Sequence, residues 1–132
     1  MKRIAACAVL LTVSLACGGS RSVTVVMNAE NNSGQKGVAV ITEVPGGTRV
    51  TVDVSSGPDT RSQLMHIHPG TCGEIGAIFR GLAPLTLQPD GGMHSETVTD
   101  AGFDLLTASN HAINAHFPDD FSLYTTCGNL KK

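Results

Sequence analysis

The chain has 132 residues, a hydrophobic share of 41% and a formal net charge of −2, proportions that suit one domain with a single core. It has no tryptophan, one tyrosine and 15% charged residues, while valine, threonine and glycine recur, a balance that favours short strands and turns over helices. A mildly acidic chain without a basic stripe excludes nucleic acid as a partner. No Ser-His-Asp set or pair of carboxylates supports hydrolase chemistry.

The N-terminus reads as an export signal. Met1-Lys2-Arg3 is a short positive region, and Ile4 to Leu15 is an apolar run too short to span a bilayer comfortably. The run ends at Ser14-Leu15-Ala16-Cys17-Gly18-Gly19-Ser20, which resembles the bacterial lipoprotein cleavage box, with Ser14 where leucine is commoner. That resemblance implies a signal peptide over residues 1–16, lipid on Cys17, a tether over 17–21 and a folded domain over 22–132. The protein would then face the periplasm or the cell surface, held to the membrane by its lipid. The other reading is an ordinary secretory peptide or retained anchor with a chance cysteine. Loss of Lys2 and Arg3 would leave seven of the nine bases against eleven acids, a net charge of −4.

Beyond the tether, Ser22 to Asn28 reads as a strand, and Glu30 to Gly34 as a turn. Gly37 to Val44 is a second strand, closed into a hairpin by Pro45-Gly46-Gly47. Thr48 to Ser55 alternates Val50, Val52 and Val54 with Thr51, Asp53 and Ser55, the period of a strand with one wet face. Ser56 to Thr60 is a loop, and Gln63 to His68 the next strand. Gly73 to Gly92, with two prolines, reads as loop with one or two brief strands, one of them at Leu85 to Leu87. Met93 to Thr99 is a further strand, and Phe103 to Leu106 a helical turn or connecting loop. His111 to His116 forms a strand, Pro118-Asp119-Asp120 a turn, and Leu123 to Leu130 the last strand. Many short strands at close spacing predict an antiparallel sandwich or barrel.

The chemistry centres on Met65-His66-Ile67-His68-Pro69-Gly70-Thr71-Cys72. In an extended strand His66 and His68 project from one face, while Met65 and Ile67 point into the core. Two such imidazoles can bind one metal ion if a third ligand arrives from elsewhere; otherwise they are a polar pair on a wet face. Of four cysteines, Cys7 lies in the signal and Cys17 is the lipidation candidate. Cys72 and Cys127 remain, and an exported, oxidising setting makes a disulfide the expectation over a pair of thiolate ligands.

These landmarks fall in a recognisable order: opening strands, His66-Ile67-His68, Cys72, then His116 before Asp119-Asp120, and Cys127-Gly128 near the end. The order resembles the copper,zinc superoxide dismutase family and its bacterial lipoprotein relatives, from about Val23 to Leu130. It is also similar to the CHRD module, which shares a His-x-His strand. The resemblance implies an all-β, Greek-key antiparallel barrel. It implies copper held by His66, His68 and His116, and a bridge joining Cys72 to Cys127. The chain departs from the dismutases in ways that bear on activity. The stretch between Cys72 and Met93 has no histidine, so the bridging and zinc ligands are absent and zinc is not expected. Only Phe121 to Thr126 separate Asp120 from Cys127, which leaves no room for a long charged loop. Tyr124 stands where the family has an arginine. An anionic substrate is drawn and held by a fixed cation, so only weak dismutation is expected.

The remaining candidates are weaker. His94, beside the soft Met93, would be a fourth ligand only if its strand borders the site. His111 lies five residues from His116 and so on the opposite strand face, as a structural residue or one that orients a ligand. Asp119 and Asp120 are either acceptors for a ligand imidazole or solvated turn residues. The expectation is a lipid-anchored protein that binds one copper per chain, with slow dismutation at most. The rival is a non-catalytic, CHRD-like envelope module that binds a partner or scavenges metal. Lipidation has a direct test: in a bacterium with a lipoprotein pathway, labelled palmitate should enter the full chain and fail to enter Cys17→Ala. Equal labelling would remove the anchor.

Overall fold

Val50, Val52 and Val54 are buried while Arg49, Asp53 and Ser55 meet solvent, and a strand that alternates in this way must lie against a core. The computed structural model, which describes residues 18–57 and 59–131, repeats this pattern around a closed wall. The expected signal peptide, Cys7 and the lipidation candidate Cys17 lie outside the described residues.

The elements run β1 (Ser22–Ala29), β2 (Gly37–Val44), β3 (Gly47–Ser55), β4 (Gln63–Thr71), β5 (Glu74–Ile75), β6 (Arg80–Leu87), β7 (Gly92–Thr99), α1 (Phe103–Ala108), β8 (His111–Phe117) and β9 (Asp120–Asn129). Every pairing is antiparallel. The order β4-β6-β7-β3-β2-β1-β9-β8 returns to β4 through a β4–β8 pairing, so eight strands close a barrel and short β5 adds to the end of β4. Among the described residues the chain is thus all-β but for one turn-and-a-half of helix, in line with the antiparallel sheet expected from its strand spacing. Closure removes the free edges of the wall.

The barrel interior holds Met27, Ile41, Val50, Met65, Ile67, Leu85, Met93, Ile113 and Leu130, all fully buried. Leu106 and Phe103 of α1 belong to the same core, and Thr107 secures the helix by donating to the Phe103 carbonyl (2.8 Å). Gly128 faces inward, where a Cβ would lie 2.7 Å from the Val26 carbonyl and 2.8 Å from Met27 Sδ, so the strand crosses the core at a point that admits no side chain.

The sequence underestimated β6. Pro84 sits inside an eight-residue strand rather than ending it, because the β4–β6 register slips between Gln63 and Met65. At such a bulge no ladder hydrogen bond is asked of the proline nitrogen. Strand β9 also starts at Asp120, earlier than the expected Leu123.

The Cys72–Cys127 disulfide is present, with Cα atoms 5.9 Å apart and a sequence separation of 55. It ties the loop after β4 to β9, and the Cys72 backbone N–H adds a hydrogen bond to Asn129 Oδ1 (2.7 Å). Closing a loop of this length is worth about 4 kcal/mol through the unfolded chain. The double variant Cys72→Ser, Cys127→Ser is therefore expected to lose roughly 2–4 kcal/mol in urea denaturation; an unchanged midpoint would show that the bridge does not constrain the fold.

Candidate metal centre

Core packing decides where the histidines go. Met65 and Ile67 of β4 are buried in the barrel, so His66 and His68, of opposite parity, stand on its outer face. On β8, Ile113 and Ala115 face the core, which turns Ala112, Asn114 and His116 outward. The closing register pairs Met65 with Ala115, His66 with Asn114 and His68 with Ala112. Around His116 the β8–β9 register shifts, and His116 pairs with Tyr124.

The three histidines meet on this outer face, with one ring nitrogen of each within 4.8 Å of the others. His66 is half-buried, and His68 and His116 are buried. His66 Nδ1 lies 2.8 Å from His116 Nε2, with the rings 4.9 Å apart in an edge arrangement. With bonds of about 2.0 Å, two nitrogens at that separation subtend roughly a right angle at one ion.

The backbone selects the tautomers. His116 Nδ1–H donates to the Phe121 carbonyl (2.7 Å), and His68 Nδ1–H donates to the Gly76 carbonyl (2.9 Å). Each carbonyl can only accept, so Nε2 carries the lone pair in both rings. His66 must then be the donor in its bond to His116, and its Nδ1 proton occupies the place a metal ion would take. His68 Nε2 is buried and has no hydrogen-bond partner. A ligand histidine usually ties its other nitrogen to a carbonyl or carboxylate, and two of the three do so here.

The loop after β4 builds half of this arrangement. Gly70 has φ +104°, and a Cβ there would lie 2.3 Å from the Glu74 carbonyl; only glycine lets the chain double back on β5. The Gly76 N–H then donates to the Pro69 carbonyl (2.7 Å), which sets the Gly76 oxygen over His68. The disulfide holds the same loop from its other side.

Two cations' worth of charge on neighbouring rings is unfavourable. His66 is held below the ordinary imidazole range by burial first, then by the nearness of His116 and His68. Burial also lowers His116, against the opposing hydrogen bond to Phe121, with His68 adding to the lowering. Neutral imidazole is the form that binds a metal.

Other candidates fall elsewhere. His94 is on β7, which pairs with β3 and β6, and its Nδ1 lies 2.7 Å from Asp53; the structure does not bring it to the three histidines. A surface cleft lined in part by Asp53 and Met93 contains none of them. His111 is buried against Phe79, with ring centroids 5.2 Å apart, and makes no hydrogen bond to the cluster. Asp119 pairs with Arg61 (2.8 Å), and Asp120 accepts from the Ser122 backbone (2.9 Å). Neither carboxylate holds a ligand imidazole; the backbone carbonyls of Phe121 and Gly76 take that role. Such partners leave no mark on a sequence. Tyr124, known in advance only as a departure from a pattern, places its ring 5.0 Å from His116 and 6.5 Å from His68. Asn114 was missed altogether, although its position two residues before His116 puts it on the same strand face.

No protein-family model, curated protein or solved structure matches this chain.

The lowered histidines make a signed prediction for the metal-free protein. Unfolded imidazoles take up protons near pH 6.5, whereas folded His66 and His116 resist until the pH is lower. Between those values the unfolded state binds more protons, so stability falls as the pH drops below about 6.5. Urea midpoints should therefore fall between pH 7.5 and 5.5, and fall less in His66→Gln, His116→Gln. Identical slopes in the two proteins would refute the assignment.

Proposed function

We propose that this protein is an exported, lipid-anchored copper-binding protein of superoxide dismutase-like fold, with His66, His68 and His116 as its ligands. The observation that carries this reading is three imidazoles on one barrel face, with their nitrogens within 4.8 Å and two of the rings oriented by backbone carbonyls. Three nitrogen donors without thiolate or carboxylate suit copper in either oxidation state. The fold assignment is supported by strand order. Taken round the barrel, the strands run β1-β2-β3-β7-β6-β4-β8-β9, so the β3–β4 and β7–β8 connections each skip two strands, as a Greek key requires. The lipid anchor rests on the Cys17 box.

Copper would supply one-electron chemistry. The chain's own residues argue for binding ahead of turnover. Tyr124 brings a neutral ring where the dismutase pattern has a cation. Arg61, on the neighbouring β3–β4 connection, is tied to both Asp59 and Asp119. Phe121, 59% exposed and with its ring 6.4 Å from His116, makes the rim apolar. An anion gains little steering from such a surface.

Purified mature protein should take up about one Cu(II) per chain, with an EPR spectrum of nitrogen ligation that is lost in His116→Ala. No uptake, or an unchanged spectrum, would overturn the reading. Any superoxide dismutation should be slow and insensitive to ionic strength; a fast, salt-dependent rate would contradict the argument from Tyr124.

A further inference from the structure

Asn114 is fully buried, and both of its side-chain heteroatoms, Oδ1 and Nδ2, lack a hydrogen-bond partner. A buried carboxamide left in this state is destabilising, and native interiors rarely tolerate it. Its position suggests what the amide is for. On β8 it projects from the same face as His116, two residues on. Across the closing pair it is the direct register partner of His66, a separation of about 5 Å between Cβ atoms. His68 is its diagonal neighbour on β4. On its other side it pairs with Cys127, half of the disulfide that holds the site loop. Asn114 thus lies at the floor of the patch that the three histidines surround, and the unpartnered His68 Nε2 lies in the same patch.

Three imidazoles satisfy Cu(I) but leave Cu(II), which prefers a tetragonal set, short of a donor. We propose that Asn114 completes the metal centre, its Oδ1 serving as the fourth protein ligand to the ion held by His66, His68 and His116. The assignment rests on the histidine reading and extends it. A carboxamide oxygen is a harder donor than imidazole, so it stabilises the divalent ion selectively. It also accounts for the orphaned Oδ1, which is a liability in the metal-free protein and finds its partner on loading.

The test compares wild type with Asn114→Val and Asn114→Asp, each first confirmed as folded by circular dichroism. Valine removes the donor with similar bulk and suits a strand. Asn114→Val is expected to weaken Cu(II) binding by about tenfold or more, to leave Cu(I) binding within about threefold, and to melt at or above the wild-type temperature without metal. Asn114→Asp, which keeps an oxygen donor, should hold Cu(II) within about threefold of wild type. Equal Cu(II) affinity in wild type and Asn114→Val would overturn the assignment while leaving the histidine site intact. So would a metal-free Asn114→Val protein that melts lower yet binds Cu(II) normally, since the amide would then serve the fold through a buried water. Loss of Cu(II) in Asn114→Asp equal to that in Asn114→Val would also overturn it, by pointing to the amide N–H. Failure of wild type itself to bind copper would remove the histidine reading and this assignment together.

Discussion

The pairing of β4 with β8 closes the barrel, and the site depends on it. The register that sets Met65 against Ala115 and Ile67 against Ile113 buries four core side chains at the seam. Because side chains alternate, the same register must set His66 and His68 outward beside the outward face of β8. A slip of one residue would drive both histidines into the core and expose Met65 and Ile67. The hydrophobic demand of the interior therefore polices the geometry of a polar cluster on the exterior. The irregular β8–β9 register then adjusts where His116 stands, bringing its Nε2 to 2.8 Å from His66 Nδ1.

A second layer of constraint fixes the rings. Burial keeps His66 and His116 toward the neutral form, and the Gly76 and Phe121 carbonyls choose which nitrogen carries the proton. The Gly76 oxygen is held by a hairpin that turns at Cys72-Gly73, packs closely against β5 at Gly70 and is fastened by Cys72–Cys127. Bridge, loop, carbonyl and ring form one mechanical chain. A bond that stabilises the fold through its unfolded state also holds a potential ligand in its required tautomer.

The side chains flanking His116 are aromatic rather than cationic. Tyr124 and Phe121 stand beside it, and Arg61 of the β3–β4 connection is tied to both Asp59 and Asp119, which leaves acid in excess there. Charge is spent on tying surface segments together, as in the Arg21 bridge to Glu43 and Asp104, and none of these ion pairs includes a member of the cluster. Such surroundings offer an anionic molecule little attraction.

Much of this architecture was legible in the sequence. Strand-like composition between turn signals located β1, β2 and β7, and period-two patterning located β3 and exposed the shared face of His66 and His68. Redox compartment and elimination paired Cys72 with Cys127. These are local or compositional signals, carried by neighbouring residues or by counts. Strand β6 was obscured because proline's effect on a ladder depends on the partner strand, and the bulge that tolerates Pro84 belongs to the β4–β6 register. His94 could be weighed only once β7 was seen between β3 and β6. The backbone carbonyls that orient His68 and His116, and the unpartnered amide of Asn114, became visible only on folding. Sequence by itself determined which faces are wet and which are dry. The tertiary structure alone decided which wet faces meet, because barrel closure joins strands some fifty residues apart through hydrogen bonds that no local pattern encodes.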